Sequence, residues 1–170
     1  MYNTITTTST YTVIDIRKTF EGCETDIRTI ARRTNKWTME YVDLVFYDIL
    51  MFAENGYLKS VDIVLMNTND TVLRATKFIV NANGTAISSD RAGKNNDWEN
   101  IPNTRLAIII EYTQKWHTFS DVEKANFRTN KKLKIDWVSS NIDNSFPHLS
   151  NSNGQLYASK GFELQKTTYK

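Results

Sequence analysis

Asn55-Gly56-Tyr57-Leu58-Lys59-Ser60-Val61-Asp62-Ile63-Val64-Leu65-Met66 and Thr71-Val72-Leu73-Arg74-Ala75-Thr76-Lys77-Phe78-Ile79-Val80 are the segments on which the fold turns. Before them, apolar residues recur every three or four positions; after Gly56 the period changes. Asn55-Gly56 ends a helix, because glycine accepts the left-handed conformation just past the cap. Leu58, Val61, Ile63 and Leu65 then read as a strand, 67–70 as a turn and 71–80 as the returning strand. No catalytic residue set lies on or near this hairpin. A hairpin that follows two amphipathic helices predicts a sheet with an exposed edge, and such an edge suits binding to other proteins better than chemistry on a substrate.

Two helices are expected upstream. Ile16, Phe20, Cys23, Ile27, Ile30 and Ala31 share one face of a helix that Asp15 can cap and that runs to about Arg33. Gly22 inside it costs up to about 1 kcal/mol relative to alanine. Thr38 caps the second helix, whose buried side is Val42, Val45, Phe46, Ile49, Leu50 and Ala53, widened by Met51 and Phe52. A helix this apolar is expected to be central.

Other elements are expected on both sides. Residues 6–13 read as a short first strand, and 81–103 as a long excursion with a helical turn near 88–91. Residues 105–113 are the clearest strand, with an apolar centre that predicts burial on both faces. Ser120 and Glu123 have capping-box spacing, giving a short helix over 121–128 with Val122 and Phe127 inward. Leu133, Ile135 and Trp137 alternate as a strand. Residues 139–154 are rich in serine and asparagine, and 155–169 return to strand-forming residues. A polar stretch followed by an apolar strand can move as a unit and pair elsewhere. The architecture is α+β: two long helices packed on one face of a mainly antiparallel sheet.

Composition bounds the function. The chain has 170 residues, consistent with one domain, and a net charge of +2, short of the strongly basic balance of a dedicated nucleic-acid binder. The clusters Arg28, Arg32, Arg33, Lys36 and Lys131, Lys132, Lys134 read as solvated faces. The single cysteine, Cys23, lies on an apolar stripe and reads as a small core residue. No intrachain disulfide is open to it, and a structural zinc site would need more ligands. The polar, threonine-rich start does not resemble a signal peptide, and no apolar run approaches the ~18 residues of a membrane span. The cytoplasm is the expected location.

The sequence carries few residues in patterns that support chemistry. His117 and His148 belong to no metal-ligand motif, Gly93-Lys94 lacks the rest of a phosphate loop, and Ser88-Ser89-Asp90-Arg91 is no nucleophile elbow. Asp43, Asp48, Asp62, Asp97, Glu99 and Glu111 are scattered, with no pair converging for acid–base work. Catalytic residues, metal ligands and cofactors are therefore not expected. The alternative is a small enzyme or small-molecule binder that uses 81–103 as a lid, with Asp90, Arg91 and Asp97 as polar groups. A third reading uses Trp37, Trp98, Trp116 and Trp137, with Tyr112 and Tyr157, as a base-stacking platform. These lack the interleaved basic residues of an RNA-binding strand, so core or interface packing is the better expectation.

The order of elements resembles the HORMA fold of spindle-checkpoint and meiotic-axis proteins. It is more similar to the bacterial HORMA proteins encoded beside cGAS-like nucleotidyltransferases in anti-phage (CBASS) operons. The residues carrying that likeness are Tyr11-Thr12-Val13-Ile14-Asp15-Ile16-Arg17-Lys18-Thr19-Phe20, Ile30-Ala31-Arg32-Arg33-Thr34, Ser89-Asp90-Arg91-Ala92-Gly93-Lys94-Asn95-Asn96-Asp97-Trp98, Tyr112-Thr113-Gln114-Lys115-Trp116, Ser145-Phe146-Pro147-His148-Leu149 and Tyr157-Ala158-Ser159. One departure is the missing third long helix that eukaryotic members carry between the first two.

The resemblance implies a peptide-binding adaptor, not an enzyme. It implies a single domain with a core over 1–137 and a mobile safety belt over 138–170. A closure-motif peptide would add to the edge strand at Leu106, Ile108, Ile110 and Tyr112, a β-augmentation, above Val42, Phe46 and Ile49 of the buried helix. Belt residues Tyr157, Phe162, Leu164 and Tyr169 would wrap over it, with 155–169 pairing beside 71–80 in the closed state. The closed form would bind and activate the nucleotidyltransferase, and an AAA+ ATPase would reopen it by pulling on residues 1–10. No membrane or direct nucleic-acid partner is implied.

Overall fold

The computed structural model describes residues 17–69, 72–80, 87–92, 98–139 and 162–165. The expected strand over 6–13 and the capping Asp15 lie outside them. Residues 17–19 are helical and a turn at Phe20 leads into helix α1, Glu21–Thr34. Cys23, Ile27, Ile30 and Ala31 are buried along it, as their spacing requires. Asn35, with φ 54°, ends the helix in the left-handed region that asparagine tolerates. Only residues 35–38 separate it from helix α2, Met39–Glu54, so no third long helix intervenes. The Thr38 hydroxyl accepts a hydrogen bond from the Tyr41 N–H and caps α2. Gly56, at φ 77°, makes the predicted stop, its N–H donating to the Ala53 carbonyl.

Strands β1 (Leu58–Asn67) and β2 (Val72–Val80) form the expected antiparallel hairpin, with Asp62 opposite Lys77. Strand β3 (Ile87–Ala92) pairs with the outer side of β2. This corrects two expectations: 88–91 is strand, not a helical turn, and 87–92 is part of the sheet, not a lid. The sequence there has no apolar alternation, so the strand owes its existence to the hydrogen-bonding edge of β2.

Strand β4 (Thr104–Tyr112) lies on the other side of β1, then β6 (Phe162–Gln165) and β5 (Trp137–Ser139), giving a six-stranded order β3-β2-β1-β4-β6-β5 with antiparallel pairing throughout. Between β4 and β5 come a single helical turn, α3 (Gln114–His117), and helix α4 (Asp121–Asn130) with the predicted Ser120–Glu123 capping box. His117 is exposed at the end of α3. Val122 is 69 % exposed, whereas Phe127 packs on the core. Five residues on a helix turn through about 500°, so the two cannot share a face. Of the strand expected over Leu133, Ile135 and Trp137, only Trp137 is in one, as the first residue of β5; 133–136 are not strand.

Both long helices pack on one face of the sheet. Val61, Ile63, Leu65, Phe78, Leu106, Ile108, Ile110 and Tyr112 join Ile27, Val42, Phe46, Ile49 and Phe52 in one core. The opposite face is buried too, with Val64, Met66, Ala107 and Ile109 inaccessible. Burial of both faces explains why β4 reads as an uninterrupted apolar run. All four tryptophans are buried, as core packing predicts and as a base-stacking platform does not allow.

Candidate functional site

The candidate site is the side of β4 that faces away from β1. A strand offers two separate things there: backbone N–H and C=O groups along its edge, and side chains that alternate between faces. Leu106, Ile108, Ile110 and Tyr112 are 0–3 % exposed and point into the helix-side core with Val42, Phe46 and Ile49. The structure thus brings these seven predicted residues together as packing that holds the edge, and the edge itself is backbone.

Part of that edge is occupied. Strand β6 pairs with β4 at three positions, Ile109 with Leu164, Ile110 with Glu163 and Glu111 with Phe162. On its other side β6 pairs with β5, Trp137 with Gln165, Val138 with Leu164 and Ser139 with Glu163. Residues 162–165 therefore lie at β4 in this arrangement, while the outer side of β2, where 155–169 was expected to pair in a closed state, holds β3. Of the predicted belt residues, Phe162 and Leu164 lie in β6; Tyr157 and Tyr169 fall outside the described residues.

Two polar arrangements flank this edge. On the face away from the helices, Lys77 Nζ lies 3.4 Å from Asp62 Oδ2, 3.3 Å from Ser60 Oγ and 3.8 Å from Glu111 Oε1, and Ser60 Oγ donates to Glu111 Oε1 at 3.1 Å. The exposed Lys59 adds a second cation, 3.3 Å from Glu111 Oε2. Lys77 from β2, Ser60 and Asp62 from β1 and Glu111 from β4 thus meet in one cluster, next to the position where Glu111 faces Phe162. The sequence carried a signal for it, an Asp in one apolar strand and a Lys in the strand that returns, once their register is known.

The second arrangement joins α2 to the root of the C-terminal segment. Asp48 is fully buried, and its carboxylate accepts hydrogen bonds from the N–H of Lys134 (2.8 Å), the N–H of Ile135 (2.9 Å) and the indole N–H of Trp137 (2.9 Å). Burial pushes its carboxyl above the ordinary carboxylate range, and the three donors pull the other way. From the adjacent position on α2, the Tyr47 hydroxyl donates to the Lys131 carbonyl at 2.6 Å, and Lys134 Nζ lies 5.0 Å from the Tyr47 ring centre. Read from sequence, Asp48 was one scattered carboxylate. Its position on the buried side of α2, between Val45 and Phe52, was the available signal that it must be satisfied by something.

Beneath these, aromatic rings knit α2 to β4 and α4. Phe52 lies 5.1 Å from Tyr112, 5.6 Å from Trp116, 5.8 Å from Phe127 and 6.1 Å from Trp137. Cys23 is buried among apolar groups, which raise its thiol pKa and leave it inert. Lys36 departs from the expected solvated cluster: it is 4 % exposed and donates to the Ile101 carbonyl at 2.9 Å. Among the described residues, no group of three or more His, Cys, Asp or Glu side chains could hold a metal ion.

Comparison with known proteins agrees with this architecture. The protein is 32 % identical over 164 residues to CD-NTase-associated protein 7 of Escherichia coli (strain KTE188), covering 96 % of each chain. Its fold superposes on a chain of the E. coli MS115-1 HORMA:CdnC:Trip13 complex with a TM-score of 0.57 at 16 % identity, over 90 % of this chain and 86 % of that one. The E. coli MS115-1 CdnC:HORMA-deltaN complex gives a TM-score of 0.57 at 18 % identity, over 92 % and 87 %. The family model described as "Bacterial HORMA domain family 1" matches residues 1–170, and the chain belongs to that family.

Proposed function

We propose that this protein is a cytoplasmic, peptide-binding HORMA adaptor of an anti-phage (CBASS) system. It captures a closure-motif peptide under a belt formed by 138–170, over a core formed by 1–137. In that closed state it binds and activates a cGAS-like nucleotidyltransferase, and an AAA+ ATPase reopens it by pulling on the N-terminal residues.

The observation that carries this reading is the position of β6. It meets β4 at three register positions and β5 at three, and the strand it covers is otherwise built into the core. At a net ~0.5–1.5 kcal/mol per hydrogen bond, so short a ladder is worth only a few kcal/mol. A ligand strand can shift a balance of that size, by offering the same backbone hydrogen bonds to Ile109–Glu111. Leu106, Ile108, Ile110 and Tyr112, packed on Val42, Phe46 and Ile49, keep the edge rigid for either occupant. Belt residues Tyr157, Phe162, Leu164 and Tyr169 would close over the captured strand.

The partners are supported from outside the chain. A relative is named for its association with a CD-NTase, both solved complexes of similar fold contain CdnC beside the HORMA protein, and one of them contains Trip13 as well. No helix among the described residues is long and apolar enough to cross a membrane.

The test pairs the intact protein with a truncation ending at residue 149, each mixed with the nucleotidyltransferase encoded beside it. Capture of a displayed peptide library and cyclic-nucleotide output are measured together. The intact protein should capture a peptide and raise output, and the folded truncation should do neither. Equal capture by both proteins would refute the belt.

A further inference from the structure

We infer that Asp48 is the anchor that fixes the root of the C-terminal strap to the core, so that the chain through Trp137 stays in place when the strand beyond it leaves β4. This rests on the strap reading above and adds a residue with a defined positioning role.

Strand β5 does not pair with β4; β6 lies between them in the sheet. When β6 leaves, β5 loses the strand that joins it to the sheet. Sheet hydrogen bonding therefore cannot hold residues 131–137 in place. What holds them is α2. Asp48 gathers three donors from Lys134, Ile135 and Trp137, Tyr47 binds the Lys131 carbonyl, and the buried Trp137 ring packs on Phe52. None of these contacts involves β6.

The chemistry at Asp48 is specific to a carboxylate. Both oxygens are used: Oδ1 accepts from Lys134, and Oδ2 accepts from Ile135 and Trp137. An amide of the same shape presents an NH2 group where one of those oxygens stood, so donor faces donor on one side. A buried carboxylate surrounded by N–H donors is costly to assemble if all it does is join a loop to a helix. At the one point where a moving segment meets a fixed core, it supplies a pivot of fixed position. The residues beyond Trp137 then set the length of chain that can swing and the edge it can reach.

Native-state hydrogen exchange on the full chain, at increasing sub-denaturing urea, tests this. In the wild type the amides of Glu163 and Leu164 should exchange through a local opening. Those of Lys134 and Ile135 should exchange only with the core strand β1. In Asp48→Asn, exchange at Lys134 and Ile135 should speed by about a hundredfold, the equivalent of losing one to two hydrogen bonds to a charged group, with β1 affected far less. Trp137→Phe, which removes one donor and keeps a ring against Phe52, should give a smaller acceleration at Ile135.

Three results overturn the proposal, and the first two differ in what else they remove. If Ile135 opens together with Leu164 in the wild type while β1 stays closed, the pivot lies elsewhere and the strap survives. If Leu164 opens only with β1, no separate strap exists, and both the anchor and the belt reading fail. Asp48→Asn leaving the Lys134 and Ile135 rates unchanged relative to β1 would also refute the anchoring role.

Discussion

Replacing Lys77 with methionine should destabilise the protein by about 3–5 kcal/mol, the cost of breaking a buried ion pair from one side. The figure follows from where the charges sit. Asp62 is 0 % exposed and Lys77 is 7 % exposed, with 3.4 Å between Nζ and Oδ2. At an effective dielectric of about 20, two unit charges at that separation attract by about 5 kcal/mol, and removing the cation leaves Asp62 in an apolar sheet face without it. Glu111 suffers less, because Lys59 lies 3.3 Å away on the solvent side and Ser60 still donates to it. The loss should therefore trace to Asp62. In the double variant Lys77→Met/Asp62→Leu, most of the stability should return, because two packed apolar side chains need no compensation. Urea unfolding of the wild type, both single variants and the double variant closes the cycle. A Lys77→Met loss under about 1 kcal/mol, the value of an exposed pair, would show that water screens the cluster and would refute the burial of that sheet face.

Other outcomes follow from the same structure. Gly22, inside α1, and Gly56, just past the end of α2, should respond to alanine with opposite signs in thermal unfolding. Gly22 is exposed inside α1 with nothing within 4 Å of an added Cβ, so Gly22→Ala should stabilise by about 0.5–1 kcal/mol. Gly56 holds φ 77° and an added Cβ would meet only the Lys115 side chain at 3.7 Å, so the cost of Gly56→Ala is backbone strain, about 1–2 kcal/mol, with Asn tolerated better. Unfolding followed against pH should show two opposed carboxylate contributions. Burial raises the folded value at Asp48, so its contribution is full below the ordinary 3.8 and falls away as pH rises through the raised value; Asp48→Asn should remove that component. The Ser120 backbone and side chain hold Glu123 below its ordinary 4.5, so its contribution is present above 4.5 and is lost as pH falls through the depressed value. A pH profile unchanged in Asp48→Asn would contradict the burial of that carboxylate.

Local patterns in the chain determined a good part of this protein. Periodicity placed both long helices and the Thr38 cap the start of the second; local patterns also placed the stop at Gly56, the β1–β2 hairpin and the buried character of β4, because each depends on side chains within a few residues of one another. The capping box at Ser120 and the inert, buried Cys23 were legible for the same reason. The order of elements also carried the family, since order is a property of the chain itself.

Tertiary structure alone decided the rest. Strand β3 has no apolar alternation and exists because β2 offers it an edge. Lys77 and Asp62 became a pair only when the register put them opposite one another, fifteen residues apart in the chain. Asp48 meets its donors across eighty-six to eighty-nine residues. The place of the C-terminal strand, on β4 and not on β2, is likewise a choice between two edges that its own residues do not encode. Backbone hydrogen bonding is nearly blind to sequence, so which edge a strand occupies is settled by the rest of the fold.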